Sequence, residues 1–175
     1  AGFGNVNADV MHGLPGQTIG QYLDTLRRVV DLGVEHVSAY ALILEEGTPL
    51  FRRVEAGEVA SPDPDLVADM QDAGAEYLEE NGFCRYEISN YAKTGFYCRH
   101  NWNYWDNGEY IGIGAAAHSC LRLPDPETGA SAWTRWENAA DLDAYFAALA
   151  ERRRPVAQTQ RIRAPRNYSR RSCWA

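Results

Sequence analysis

Residues able to do chemistry concentrate between Cys98 and Ser119. One guanidinium (Arg99) and two imidazoles (His100, His118) lie close to four large aromatics, Trp102, Tyr104, Trp105 and Tyr110. The stretch ends in a run rich in small residues, Gly112-Ile113-Gly114-Ala115-Ala116-Ala117. Aromatic rings supply flat apolar walls, and an imidazole can carry a proton or hold a metal. Gly and Ala let another group approach the backbone. Together these types suit a flat, partly polar ligand. A lone His100 is more often structural, but Asn101 or Tyr104 beside it could fix one ring nitrogen and leave the other free to donate or ligate. The small-residue run also fits plain helix packing. It is not a dinucleotide fingerprint, because Ala117 stands where the third glycine is needed.

Other candidates are weaker on their own. Asp9 interrupts an apolar-leaning strand pattern, where Asp is depleted, and fits either a strand edge or a functional carboxylate. Gly13-Leu14-Pro15-Gly16-Gln17-Thr18 could offer backbone N–H groups to an anion, although it reads equally as a plain turn and lacks the lysine of a P-loop. Glu45 and Glu46 are adjacent carboxylates, which usually point apart. Tyr86 to Tyr91 is a polar strand end. The cysteines, Cys84, Cys98, Cys120 and Cys173, have no spacing that holds zinc or an iron–sulfur cluster. They read as reduced thiols, with Cys98, beside Arg99 and His100, the one with a reason to react.

These residues need elements to position them. A strand is expected over residues 5–12, then the Gly-Pro-Gly loop, then a helix capped by Thr18 with Gln21 closing a capping box and Gly33 ending it. Val34 to Leu44 reads as a strand covered on both faces. A short helix is expected from Pro49 to Ala56. A longer one starts at Ser61-Pro62-Asp63-Pro64, carries Leu66, Met70, Ala73 and Tyr77 on one stripe and stops at Asn81-Gly82. A third strand, Phe83 to Ser89, follows. Repeated β-α units imply a parallel sheet with ligands at the strands' C-terminal ends, which places Gly13–Thr18, Glu45–Pro49 and Ser89–His100 at a common rim. Further on, residues 120–123 and 132–136 read as a hairpin, and Asn138 as the cap of a helix bearing Leu142, Tyr145, Phe146 and Leu149. The remainder is expected to be an irregular basic tail.

Composition narrows the classes. An apolar content of 45% in 175 residues is enough for a folded core. No run of 18 apolar residues suggests a membrane span, and no secretory signal is legible, so a cytoplasmic protein is expected. Residues 1–150 carry 9 Lys and Arg against 23 Asp and Glu, whereas residues 151–175 carry 8 Arg and one Glu. So acidic a body argues against nucleic acid as a partner. The chain opens without Met straight into an apparent strand, as the middle of a longer protein would.

Five motifs in order then carry a resemblance. They are Asn7-x-Asp9-x-Met11-x-Gly-Leu-Pro-Gly-Gln-Thr18, Ser38-x-Tyr40-x-Leu42-x-x-Glu45-x-Gly47-Thr48-Pro49, Tyr86-Glu-Ile-Ser-Asn-Tyr-Ala92, Arg99-His100-Asn101-x-x-Tyr104-Trp105 and Tyr110-Ile-Gly-Ile-Gly-Ala-x-Ala-His118-Ser119. They resemble the HemW family, heme chaperones related to oxygen-independent coproporphyrinogen III oxidases within the radical S-adenosylmethionine (SAM) superfamily. The resemblance implies an α/β fold: the later strands of a partial (β/α)6 radical SAM-type barrel over residues 1–97, a small α+β extension over 98–150, and the tail over 151–175. It implies SAM contacts from Asp9, Ala41, Ile43 and His118. It implies heme contacts from His100, Asn101, Tyr104 and Trp105, with His100 as the ligand to heme iron. Heme-accepting proteins are the implied partners.

Two departures qualify it. The family's CxxxCxxC motif, which holds a [4Fe–4S] cluster, is not in this chain, and is expected only in a full-length parent. The residues after about Gln160 read as a truncated or frame-shifted end. The implied functions are therefore heme binding and delivery, a radical SAM oxidoreductase acting on a porphyrinogen, or an inactive fragment.

Overall fold

The computed structural model describes residues 2–124 and 129–162. They divide into two compact units, residues 2–97 and residues 98–162.

In the first unit, β1 (Asn7–His12) leads through the Gly-Pro-Gly loop to α1 (Ile19–Asp31). The expected capping box forms: the Gln21 N–H donates to Thr18 Oγ1 at 3.2 Å and the Thr18 N–H to Gln21 Oε1 at 2.9 Å. Gly33, at φ 78°, takes the left-handed position after the helix. β2 (His36–Ala41) lies parallel to β1, with α2 (Pro49–Glu55) and α3 (Pro64–Glu80) after it. α3 starts where the sequence indicates, with Asp63 accepting from the Asp65 N–H at 3.0 Å and Pro64 in the first turn.

Val10, Val37 and Ala39 from the sheet form the core with Tyr22 and Leu26 of α1 and Met70 and Leu78 of α3. The fully buried residues of α3 are Met70, Gly74 and Leu78; of the expected stripe Met70 is in the core, Leu66 and Tyr77 are partly buried against it, and Gly74 takes the place expected of Ala73. Gly74 is at the crossing with α1 because Tyr22 fills its place: a Cβ there would sit 2.5 Å from the Tyr22 hydroxyl. Burial pushes the Tyr22 phenol well above its ordinary value, with nearby Tyr91 adding to the shift.

The third strand departs from expectation. Phe83 to Ser89 is not one extended segment; β3 (Cys84–Arg85) stops, the chain turns, and β4 (Asn90–Ala92) returns antiparallel to both β3 and β2. The sheet order is β1-β2-β4-β3, mixed rather than parallel. Side chains lock the reversal. Arg85 donates to the carbonyls of Glu87 and Ile88, the latter through Nη2 at 2.6 Å, and the Ser89 N–H donates to Glu87 Oε1 at 2.9 Å. The alternation of a continuous strand, which would set Glu87 and Ser89 on one face, does not apply within this turn.

The second unit holds α4 (Arg99–Trp105), β5 (His118–Pro124), β6 (Ser131–Asn138), α5 (Leu142–Ala150) and β7 (Val156–Ile162). β5 and β6 are the expected hairpin, and β7 pairs antiparallel with β6. Residues 156–162, expected to be irregular, are therefore the third strand of a sheet. Lack of apolar periodicity misled there, because an edge strand is held by its backbone ladder. Residues 163–175 of the tail lie outside the described residues. α5 is capped by Asp141, whose carboxylate accepts from the Ala144 N–H at 2.8 Å. Asn138 is not its cap; its amide donates to the Gly114 carbonyl at 2.8 Å.

Candidate functional site

Alternation along β1 divides its side chains cleanly. Ala8, Val10 and His12 face the helices, whereas Asn7, Asp9 and Met11 face the other way. The parallel register sets Asn7 beside His36, Asp9 beside Ser38 and Met11 beside Tyr40. Pairing of β2 with β4 adds Asn90 next to Ser38. The sheet face away from the helices thus carries Asn7, Asp9, His36, Ser38 and Asn90 together.

These groups form a hydrogen-bonded chain. Asn7 Nδ2 donates to Asp9 Oδ1 at 2.6 Å. Asn7 Oδ1 lies 2.6 Å from His36 Nδ1 and also accepts from Ser38 Oγ at 3.2 Å. His36 Nε2 lies 2.6 Å from the Tyr86 hydroxyl. A carboxylate only accepts, so Asp9 fixes the Asn7 amide with its oxygen toward His36. That oxygen also only accepts, so His36 carries its proton on Nδ1 and its Nε2 accepts from Tyr86. Burial holds the His36 pKa below the ordinary value, outweighing Asp9 and Glu87, whose charges push it upward. Asn90 donates to Glu87 Oε1, while its own Oδ1 is buried without a partner. A buried acceptor left unpaired costs about 1–3 kcal/mol, so this face favours a ligand carrying N–H or O–H donors.

Of the residues expected at a SAM site, Asp9 is on this face. Ala41 pairs with His12, so its side chain is on the helix side with Val37 and Ala39, and only its backbone can serve Asp9's face. Ile43 lies past the end of β2 and is 74% exposed. His118 belongs to the second unit, at the start of β5, where its Nε2 is 3.7 Å from Glu137 Oε2. Reading the sequence missed His36 as a site residue. Its signal was a polar residue two before Ser38 in an otherwise apolar strand.

In the second unit, α4 organises the aromatic motif. Positions 100 and 104, and positions 101 and 105, are each i and i+4, so the helix sets them in two adjacent rows. The His100 ring meets Tyr104 edge-on at 4.8 Å, and Tyr104 meets Tyr110 at 4.5 Å. His100 is exposed, as are Tyr104 and Trp105 in part, and Asn101 is half-buried. Asn103 anchors the helix, donating to the Glu109 carbonyl at 3.0 Å. In the small-residue run, Gly112 is required by the chain's own packing. A Cβ on Gly112 would lie 2.2 Å from the His118 carbonyl oxygen, and the Gly112 N–H donates to Ser119 Oγ at 2.9 Å.

No protein-family model matches the chain. Over 161 residues, 92% of its length, it is 39% identical to the heme chaperone HemW of Mycobacterium tuberculosis. Over the same length it is 34% identical to that of Bacillus subtilis. The chain belongs to the HemW-like radical SAM family. It spans 39% of the mycobacterial HemW and 40% of the Bacillus protein. A mitochondrial radical S-adenosyl methionine domain-containing protein 1 from Bos taurus is 45% identical over 115 residues, 66% of this chain and 26% of that protein. Among solved structures, the coproporphyrinogen III oxidase HemN from Escherichia coli matches with a TM-score of 0.69 at 18% identity, covering 93% of this chain and 38% of that one. That likeness fixes the fold as part of a radical SAM-type architecture. Among the described residues, no helix is long and apolar enough to cross a membrane.

Proposed function

We propose that this chain is the heme-binding part of a HemW-type heme chaperone, and that the polar face of its first unit contributes to a SAM site. The observation that carries the heme reading is α4, where an exposed imidazole stands against Tyr104 and the next residue, Trp105, is half exposed. An exposed imidazole can ligate iron, and aromatic faces beside it suit a flat macrocycle. Bound heme would supply an iron for His100 to hold and a ring for Tyr104 and Trp105 to cover, with Asn101 alongside as a polar contact. Proteins that accept heme are the proposed partners.

SAM carries ribose hydroxyls, an exocyclic amine, an ammonium group and a sulfonium charge. Those are the donors and positive charge that Asp9 and the unpartnered Asn90 Oδ1 would meet. Asp9 is the contact proposed on that side, with the backbone near Ala41 and the exposed Ile43 beyond it. An iron–sulfur cluster does not fit the residues present. No three His, Cys, Asp or Glu side chains among those described are gathered to hold a metal.

The test is a heme titration followed by the Soret band, in wild type and in His100→Ala. The expected outcome is a defined spectrum in the wild type that shifts and weakens in the variant. Equal spectra would remove His100 as a ligand. Turnover of coproporphyrinogen by the whole protein with SAM and a reductant would turn the reading toward an oxidoreductase.

A further inference from the structure

The hydrogen-bonded chain on the first unit's sheet does more than fill space. His36 is 5% exposed, and both of its ring nitrogens are engaged at 2.6 Å. Its partners come from distant parts of the sequence, Asn7 on β1 and Tyr86 on the turn after β3. Its Nδ1–H and the Asp9 carboxylate hold the Asn7 amide in the same orientation from its two ends. Only one orientation lets Asn7 Nδ2 donate to Asp9. With one Asp9 oxygen held this way, the other has a defined direction for a ligand.

We infer that His36, with its proton on Nδ1, is the positioning residue for the Asp9 carboxylate, acting through Asn7, with the Tyr86 hydroxyl donating to Nε2 and holding the ring from its far side. The inference rests on the proposal that Asp9 meets SAM. His36 itself touches no ligand. If the proton moved to Nε2, Nδ1 would become an acceptor facing the Asn7 oxygen, and the amide would have to flip, turning its acceptor on Asp9. The chain works in one direction only, which is how an oriented imidazole fixes a neighbouring carboxylate.

The test compares two substitutions that differ in which half of the imidazole they imitate. His36→Asn keeps an amide N–H near the place of Nδ1; His36→Gln puts its amide near Nε2 and leaves Asn7 Oδ1 without that donor. SAM is titrated against the full chain, following backbone amide resonances of residues 7–12, in wild type, Asp9→Asn, His36→Asn and His36→Gln. Asp9→Asn and His36→Gln are each expected to weaken binding about tenfold, and His36→Asn by no more than about twofold. A purely structural role would make the two His36 variants alike, and equal affinities for them overturn the inference while a weakened Asp9→Asn keeps Asp9 as the contact. Unaltered binding in Asp9→Asn, or no binding in wild type, overturns the Asp9 reading and the inference with it. Nitrogen-15 spectra of the wild-type imidazole give a readout that needs no variant. A pyrrole-type Nδ1 and pyridine-type Nε2 above pH 7 are expected, and the opposite assignment overturns the inference.

Discussion

The two units keep their candidate residues in place by different means. In the first, ten buried side chains from β1, β2, α1, α3 and their neighbours form one core, and the polar face rides on the other side of that sheet. His36 is gripped from both ends and Asp9 is fixed through a neighbour. In the second unit, the buried residues are Ser119, Cys120, Asn138 and Ala148, and much apolar surface stays in solvent: Trp105 at 51%, Ile113 at 90% and Phe146 at 61%. Backbone ladders and side-chain latches hold this unit, and helical spacing alone lines up His100 with Tyr104. A site set by a network can fail from a distance, whereas a site set by helix phase fails only by losing its own residues or its helix.

Truncation in the two regions should separate them most. Leu78→Ala, which empties a fully buried position, is expected to lose about 3 kcal/mol by denaturant unfolding. Leu149→Ala, at a half-exposed position of α5, should stay within about 0.5 kcal/mol. Similar losses would break the contrast. The second unit has a weak point of another kind. Gly112→Ala drives a methyl into a backbone carbonyl, with an expected cost of about 1–3 kcal/mol. Hydrogen exchange at Tyr110 and Cys120, which bridge each other, should speed up first, and unchanged protection there would show the loop is not a latch.

Acid should weaken the first unit before the second. Burial lowers the pKa of both His12 and His36 from 6.5, whereas His100 and His118 are exposed. Above pH 6.5 both imidazoles are neutral in the folded and unfolded chain, and stability is whole. As pH falls below 6.5 the unfolded chain takes up protons first, so stability drops until the folded-state values are passed. Each group contributes at most about 1.4 kcal/mol per pH unit. Probes in the first unit should show a urea midpoint that falls between pH 7 and pH 5; a flat midpoint would mean the imidazoles are not held neutral. The smallest effect belongs to α4. Trp105→Ala should change stability by less than about 0.5 kcal/mol while weakening the heme spectrum, and a large loss of stability would make Trp105 structural.

Local chemistry was legible where a few neighbouring residues decide it. Thr18 with Gln21, Asp63 with Pro64, and the hairpin strands of β5 and β6 each follow from residues close in the chain. The turn at Tyr86–Ser89 was not, since it depends on where the Arg85 and Glu87 side chains reach. β7 was missed because a ladder needs no apolar pattern. Asn138 was misread because its side chain satisfies Gly114, 24 residues earlier.

The family's motifs, the i, i+4 spacing of His100 with Tyr104 and of Asn101 with Trp105, and Asp9 as a candidate carboxylate were all legible in the residues alone. Each depends on residue types in near succession. The folded sheet was needed to show that Asp9 is oriented through Asn7 and His36, that Asn90 has an unpaired oxygen beside them, and that Ala41 turns its side chain away. Those outcomes depend on strand register and on contacts spanning 29 and 50 residues, and no local pattern encodes which side chains such pairings bring face to face.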